Sequence, residues 1–161
     1  MIYPELADLA PLLPPMRGLM GLDLGTKTIG VALSDRLLTS ASALETVKRK
    51  KFGVDADALA VLIAKHEVCG IVLGLPRNMD GSEGPRAQAT RAFALNLSRR
   101  PDFADLPITF WDERLSTVAA ERALIEADTT RKRRSEVIDA VAASYILQGA
   151  LDRMRHLRAG I

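Results

Sequence analysis

The feature that most constrains the fold is a short, uninterrupted apolar run at residues 70–75 (GIVLGL). The run is shorter than an ordinary helix, contains β-branched residues and has no polar position on either of its alternating faces. It therefore predicts a parallel strand that is covered by helices on both sides. A chain that contains such a strand is expected to fold as an α/β domain.

The other periodic segments predict the neighbours of this strand. Two apolar alternations, at residues 19–24 and 29–33, predict a hairpin, and a weaker alternation at residues 43–47 predicts a third strand. The remaining predicted elements are a helix over residues 54–67, a helix that begins at Pro85, a strand at residues 108–112, a helix capped by Ser116 or Thr117 that ends near Ala127, and a last helix over residues 135–156. The order β-β-β-α-β-α-β-α-α predicts a mixed central sheet with helices on both faces.

Size and composition narrow the class of protein. The chain has 161 residues, which suits one compact domain, and its 22 basic and 20 acidic residues leave a net charge of +2. Cys69 is the single cysteine and there are two histidines, so a disulfide, a cysteine-based zinc cluster and a histidine-rich metal site are all excluded. This cysteine usage predicts a reducing, cytoplasmic compartment.

The first residues do not have the pattern of a targeting segment. Residues 1–16 are apolar but contain Glu5, Asp8 and several prolines, and they lack the basic start of a signal peptide. No stretch of the sequence has the roughly 18 uninterrupted apolar residues that a membrane span needs. We expect residues 1–17 to form an arm, either lying on the domain surface or mobile, ahead of a domain at residues 18–158.

Asp23 interrupts an apolar strand between Leu22 and Leu24, where an unpaired carboxylate would be costly to bury. A divalent cation would convert that cost into binding energy, which makes Asp23 a candidate metal ligand. The alternative is a carboxylate satisfied by nearby backbone amides or by Lys27.

Gly25 and Gly30 bracket the turn that follows Asp23, in the segment DLGTKTIGVALSD. A backbone of this kind can approach a phosphate closely, and Thr26, Lys27 and Thr28 offer donors. Sugar kinases and actin-like ATPases carry a similar loop. They clamp a nucleotide between two lobes, however, and a chain of this length can supply only one.

The segment WDERLST places Asp112 and Glu113 at a strand end, just before a predicted helix. Functional groups of open α/β sheets occupy such positions. Strand alternation points the two carboxylates to opposite sides, so only one should join Asp23. We predict that it is Glu113, and that Asp112 bonds to the loop or to Arg114. The alternative is a surface charge pair.

Asp139 lies at the edge of the apolar arc of the last predicted helix, and Ala142 and Ala143 would allow that helix to approach the sheet closely. A carboxylate at this margin can reach inward to a metal or remain solvated. Together with Asp23 and Glu113 it forms an all-oxygen set that favours Mg²⁺ or Mn²⁺. Two such ions, about 3.5–4 Å apart, can activate water and stabilise the leaving oxygen of a phosphodiester.

Basic residues are clustered despite the small net charge. One run covers residues 48–51, and a second consists of Arg131, Lys132, Arg133 and Arg134, immediately before the helix that bears Asp139. We predict that residues 128–134 form a mobile loop that becomes ordered on nucleic acid. Solvated loops also carry such runs, so the cations point to a nucleic-acid substrate only in combination with the carboxylates.

Four motifs in order, DLGTKTIGVALSD, VLGLPRNMDGSEGP, WDERLST and IDAVAASYIL, resemble those of the YqgF family, candidate nucleases of precursor 16S rRNA that are related to Holliday-junction resolvases. The resemblance covers residues 19 to about 152. It implies a ribonuclease H-like fold with an acidic centre at Asp23, Glu113 and Asp139. The expected substrate-binding residues are Lys27, Asn78, Asp80, Arg114, Arg131, Lys132, Arg133 and Arg134.

The resemblance implies a cytoplasmic, Mg²⁺- or Mn²⁺-dependent endonuclease that matures the 5′ end of 16S rRNA, with precursor rRNA as its partner. Two alternatives stay open: a resolvase that cuts branched DNA at a Holliday junction, and a nucleic-acid-binding or assembly factor without catalysis. No membrane partner is expected. The sequence leaves the oligomeric state open.

Overall fold

A computed structural model describes residues 1–115 and 131–160, and of residues 131–137 it describes the backbone only. Five strands form one sheet in the order β3-β2-β1-β4-β5. The first three strands form an antiparallel meander, whereas β4 runs parallel to β1 and β5 runs parallel to β4. The mixed sheet predicted from the sequence is therefore confirmed. The strands are β1 (Gly18–Leu24), β2 (Thr28–Ser34), β3 (Ala41–Lys48), β4 (Val68–Leu75) and β5 (Ile108–Asp112).

Helices cover both faces of this sheet, as expected for a buried parallel strand. Helices α2 and α3 pack on one face, while the last helix, α4, and the short α1 pack on the other. No described helix is long and apolar enough to cross a membrane. The predicted helix that ends near Ala127 lies outside the described residues. The helices are α1 (Leu6–Leu9), α2 (Phe52–Lys65), α3 (Pro85–Ser98) and α4 (Arg131–Arg158).

Successive strand residues point to opposite faces of the sheet, and here the residues on the two faces differ in size. Large side chains from β1, β2 and β4, such as Leu22, Val31 and Leu73, are fully buried against α2 and α3. The opposite positions include Gly21 and Gly74, over which α4 passes at contact distance. The α4 helix therefore lies unusually close to the sheet.

The first turn of α4 corrects one prediction. The helix begins at Arg131, so Arg131–Arg134 do not belong to a loop, and residues 128–130 lie outside the described residues. Arginine and lysine are good helix formers, and no glycine or proline separates this run from the helix. The helical pattern therefore continues through the cations for which the charge run alone predicts a loop.

The N-terminal arm packs against the edge of the sheet. Ile2 forms a parallel bridge with Ile108, and the Tyr3 amide donates to the Ile108 carbonyl at 2.8 Å. Farther along, Leu9 of α1 is fully buried against the α4 side of the domain. An open strand edge has unpaired backbone groups, and the arm satisfies part of those of β5.

Candidate active site

The candidate site lies at one edge of the sheet. Strands β1, β4 and β5 are parallel, so their carboxyl ends meet there, and the antiparallel β2 begins at the same edge. Asp23 is the penultimate residue of β1, and Glu113 directly follows β5. Ligands of open α/β sheets bind at this edge because several loops converge on it.

Asp23 and Asp139 come together through Gly30. Asp23 is 5% exposed and lies directly opposite Gly30 in the β1–β2 pair, so both residues face α4. A Cβ atom added to Gly30 would lie 1.9 Å from the Asp139 carbonyl oxygen. The backbone of α4 at Asp139 thus rests on the sheet beside Asp23, and only glycine leaves room for it.

Glu113 reaches the same face from the other side of Asp23. Its Oε1 atom lies 2.6 Å from the place where a Cβ of Gly74 would be. Leu22 pairs with Leu73, so Gly74 follows in register beside Asp23, on a strand about 4.8 Å away. Across the sheet, Asp23 therefore has Asp139 on one flank and Glu113 on the other.

The three carboxylates do not yet form a ready-made metal cluster. Among the side chains that the structure describes, at residues 1–115 and 138–160, no three histidine, cysteine or acidic groups are close enough together to hold an ion as they stand. The Asp139 carboxylate instead accepts a hydrogen bond from the Thr28 hydroxyl, and Asp23 and Glu113 have interactions of their own. The all-oxygen donor set of these three side chains fits Mg²⁺ or Mn²⁺.

Asp112 points away from the three carboxylates and pairs with Arg114, as predicted. The Arg114 guanidinium donates to Asp112 Oδ2 at 2.8 Å, and the Arg114 amide donates to Oδ1 at 3.0 Å. These bonds hold the pKa of Asp112 below its ordinary value. Arg114 also donates to the Met79 carbonyl at 3.4 Å, which joins the loop after β5 to the loop after β4.

The loop after β4 is built around Ser82. Asn78 Nδ2 donates to the Ser82 hydroxyl at 3.0 Å, and Asp80 Oδ1 accepts from the Ser82 amide at 2.9 Å. The hydrogen bond from the Ser82 hydroxyl is the main reason why the pKa of Asp80 is lowered. Asn78 and Asp80 thus lie in the loop after β4, at the carboxyl edge, and are exposed, with these side-chain atoms bonded inside their own loop.

Cations surround the turn between β1 and β2. Lys27 is exposed at its tip. Arg49 Nη1 donates to the Gly25 carbonyl at 2.7 Å, and Arg86 Nη2 approaches the Leu24 carbonyl at 3.4 Å. Arg86 is not among the residues predicted from the sequence. Its position directly after Pro85 is nevertheless a usable signal, because the helix that Pro85 begins follows a parallel strand and therefore starts at the same edge.

The remaining predicted cations, Arg131 to Arg134, occupy the start of α4. At 1.5 Å per residue they precede Asp139 by about 8–12 Å along the helix axis. The helix runs from Asp139, at the carboxyl edge, to Gln148, which contacts Thr39 and Ala41 at the opposite edge. The basic run therefore lies beyond the edge that contains the carboxylates.

A family model described as "RuvX: Holliday junction resolvase" matches residues 17–153. The chain belongs to the RuvX family. The resemblance to YqgF proteins, the same family, is thereby confirmed. Two relatives carry the name "Putative pre-16S rRNA nuclease". The protein of Jannaschia sp. strain CCS1 is 87% identical, with 99% of each chain covered. That of Ruegeria pomeroyi is 68% identical over 98% of this chain and 100% of its own.

Solved structures confirm the fold of this RuvX family member. RuvC of Thermus thermophilus in complex with a Holliday junction substrate has a TM-score of 0.53 and 14% identity, with 86% of this chain and 96% of RuvC covered. A second Thermus thermophilus RuvC structure gives 0.51 and 15% identity, covering 89% and 97%. RuvC has a ribonuclease H-like fold, so the predicted fold class is correct.

Proposed function

We propose that this chain is an endonuclease that uses Mg²⁺ or Mn²⁺ to hydrolyse phosphodiester bonds in the maturation of the 5′ end of precursor 16S rRNA. The observation that supports the proposal is that β1, the end of β5 and α4 carry Asp23, Glu113 and Asp139 to one face of the sheet at its carboxyl edge. Three separate elements bring acidic groups there, and two glycines make room for them. The names of the relatives supply the substrate class.

The predicted site residues have different roles in this proposal. Asp23, Glu113 and Asp139 would hold the cation, which when bound supplies an activated water and stabilises the leaving oxygen. Asp23 is 5% exposed and comes from a central strand of the sheet. Lys27 and Arg114 flank the carboxylates from two loops and would bind phosphates on either side of the cleaved bond. The exposed Asn78 and Asp80 would line the substrate path.

The basic start of α4 would steer the nucleic-acid backbone toward the carboxylates. The first turn of this helix carries no acidic residue, although acidic residues are the ones that a helix N-terminus favours. A polyanionic partner would offset this unfavourable arrangement.

Replacement of Arg131, Lys132, Arg133 and Arg134 by glutamine should weaken RNA binding and flatten its dependence on salt. A plot of the logarithm of the binding constant against the logarithm of the salt concentration has a negative slope. Its magnitude should decrease by about 0.7–0.9 for every phosphate that the variant no longer neutralises. The matched control replaces Arg153, Arg155 and Arg158 at the far end of the same helix, where the slope should not change. An unchanged slope in the first variant would remove the start of α4 from the substrate path.

The second candidate is a resolvase of four-way DNA junctions, which the description of the family model favours. The test is cleavage of precursor rRNA and a four-way junction side by side, with Mg²⁺ or Mn²⁺ and with excess chelator. The proposal expects cut rRNA, an intact or slowly cut junction, and no cleavage in chelator. Preferred cleavage of the junction would favour the resolvase. Binding of both substrates without cleavage would indicate an assembly factor, and full activity in chelator would contradict the metal site.

The setting of this activity is proposed on the same basis. Residues 18–158 would form the nuclease domain, with residues 1–17 as its attached arm. A cytoplasmic location fits both an rRNA substrate and the lone, buried Cys69, which has no partner for a disulfide within the chain.

A further inference from the structure

The turn between β1 and β2 is held in place by several hydrogen bonds. Within the turn, the Gly25 amide donates to the Thr28 carbonyl at 2.8 Å. From outside it, Arg49 bonds to both ends: its amide donates to the Lys27 carbonyl at 2.9 Å, and its Nη1 donates to the Gly25 carbonyl at 2.7 Å. The turn is therefore anchored to the chain that follows β3.

Arg49 lies beside a buried carboxylate on α2, that of Asp55. Asp55 is 1% exposed, and its Oδ1 accepts from the Lys50 amide at 2.8 Å. Its Oδ2 lies 4.0 Å from Arg49 Nε and has no hydrogen-bond partner among the described residues. The guanidinium also lies over the Phe93 ring, 5.7 Å from its centroid. The Arg49 side chain is thus held by contacts within the fold, whereas Lys51 of the same basic run is exposed.

The other end of the turn contacts α4 at Asp139. The Thr28 hydroxyl donates to Asp139 Oδ2, and Gly30, two residues farther on, touches the backbone of the same residue. A carboxylate has two oxygens with several acceptor sites, so a bond from Thr28 to one oxygen leaves the other available. This bond restricts the rotation of the Asp139 side chain, which comes from a helix rather than from the sheet.

We propose that the β1–β2 turn positions Asp139, with Thr28 as the positioning residue and the Asp55–Arg49 pair as the anchor of the turn. The inference rests on the proposed function, because it concerns Asp139 as a metal ligand. Residues that hydrogen-bond to a metal ligand fix its orientation, and their loss typically weakens metal binding about 10- to 100-fold. Asp55 would act through Arg49 and the turn, without touching cation or substrate.

The direct test is Mn²⁺ binding to the nucleic-acid-free protein, measured by calorimetry on wild type, Thr28→Val and Thr28→Ser. Valine has nearly the shape of threonine and lacks the hydroxyl, whereas serine retains it. We expect Thr28→Val to weaken Mn²⁺ binding about 10- to 100-fold and Thr28→Ser to stay near wild type. The denaturant midpoint of each metal-free variant verifies that it is folded. Wild-type affinity in Thr28→Val would overturn the proposal.

A double-mutant cycle tests the anchor. Asp55→Asn should weaken Mn²⁺ binding, and it should add little in the Thr28→Val background because both changes act through one hydrogen bond. Asp57→Asn is the control, since Asp57 lies on the same helix but pairs with Arg100, at 2.7 Å, away from the turn. Additive losses from Asp55→Asn and Thr28→Val would show that the pair does not act through Thr28. If Asp55→Asn does not fold, Arg49→Lys repeats the cycle with a cation still opposite Asp55.

The two levels of the proposal fail differently. A wild-type protein that neither binds Mn²⁺ nor cleaves nucleic acid would contradict the proposed function and the inference with it. A wild type that binds and cleaves, with a Thr28→Val variant that does the same, would overturn only the positioning role.

Discussion

The two faces of the sheet differ in how helices pack against them. The apolar face, which includes Leu22, Val31 and Leu73, is packed with large side chains against α2 and α3. The glycine face, defined by Gly21, Gly30 and Gly74, lets α4 approach almost backbone to backbone. Both faces bury an apolar cluster. The glycine face also sets the distances between the acidic groups from β1, α4 and the end of β5.

The difference shows how a small domain can place charges without a large pocket. The backbone of α4 is in direct contact with the sheet at Gly30, and any side-chain atom added there would displace the helix. The position of Asp139 relative to Asp23 is therefore fixed by backbone contact, whereas residues on the apolar face can be exchanged for others of similar volume. Changes on the glycine face should affect the site more than changes on the apolar face.

The largest effect is expected from Gly30→Ala. The new Cβ would lie 1.9 Å from the Asp139 carbonyl oxygen, and a backbone atom cannot turn aside as a side chain can. We expect a loss of about 3 kcal/mol or more in the free energy of unfolding, at the upper end for overpacking, together with loss of cleavage. Gly53→Ala is the control: it meets nothing within 4 Å in α2 and should stabilise by about 0.5–1 kcal/mol. Similar denaturant midpoints for the two variants would contradict the close approach of α4.

A smaller loss of stability is expected from Gly74→Ala, where the new Cβ meets the ends of side chains. Its neighbours are Ile146 Cδ1 at 2.4 Å and Glu113 Oε1 at 2.6 Å, and both can rotate away at a cost of about 1–3 kcal/mol. Displacement of Glu113 should reduce the cleavage rate about 100-fold. Leu73→Ala, one residue away on the apolar face, should destabilise at least as much and leave the rate of the folded enzyme nearly unchanged. Equal rate losses would remove the distinction between the faces.

The smallest effect concerns the loop pair beside the glycine face. Arg114 lowers the pKa of Asp112 from its ordinary value of 3.8. The pair therefore stabilises the fold fully at pH values above 3.8, and this contribution disappears as the pH falls through the lower pKa of the folded state. Arg114→Gln should raise the pKa of Asp112 and cost up to about 1 kcal/mol at pH 7, with no difference from wild type at strongly acidic pH. Nuclear magnetic resonance titration of Asp112, with Arg155→Gln as control, checks the direction. A pKa that does not rise would contradict the pairing.

The sequence predicts the apolar face better than the glycine face. Alternation at residues 19–24 and 29–33 and the run at residues 70–75 identify the strands, because burial of large side chains has a simple period. Asp23 is recognisable because it interrupts such a run. The role of Gly30, by contrast, depends on which helix crosses it, and that contact joins residues 109 positions apart in the chain.

Two other features follow from tertiary structure rather than from local pattern. The arm covers the β5 edge because that edge is open, a fact that appears only once the strand order is known. The bond between Thr28 and Asp139 likewise needs the register of α4 on the sheet. The start of α4 is within reach of the sequence, since helix propensity favours arginine and lysine, but a run of charges also resembles a loop.

The central claim, that Asp23, Glu113 and Asp139 form a metal-dependent catalytic centre, is tested most directly by Asp139→Asn. Asparagine keeps the shape and can still accept a hydrogen bond from Thr28, but it removes one of three neighbouring negative charges. Cleavage of precursor rRNA in Mn²⁺ should be abolished. The free energy of unfolding of the metal-free protein, followed by its denaturant midpoint, should stay the same or rise by about 0.5–2 kcal/mol, because like-charge repulsion is relieved. An active variant, or an inactive one that is clearly destabilised while Asp152→Asn on the same helix is not, would contradict this assignment.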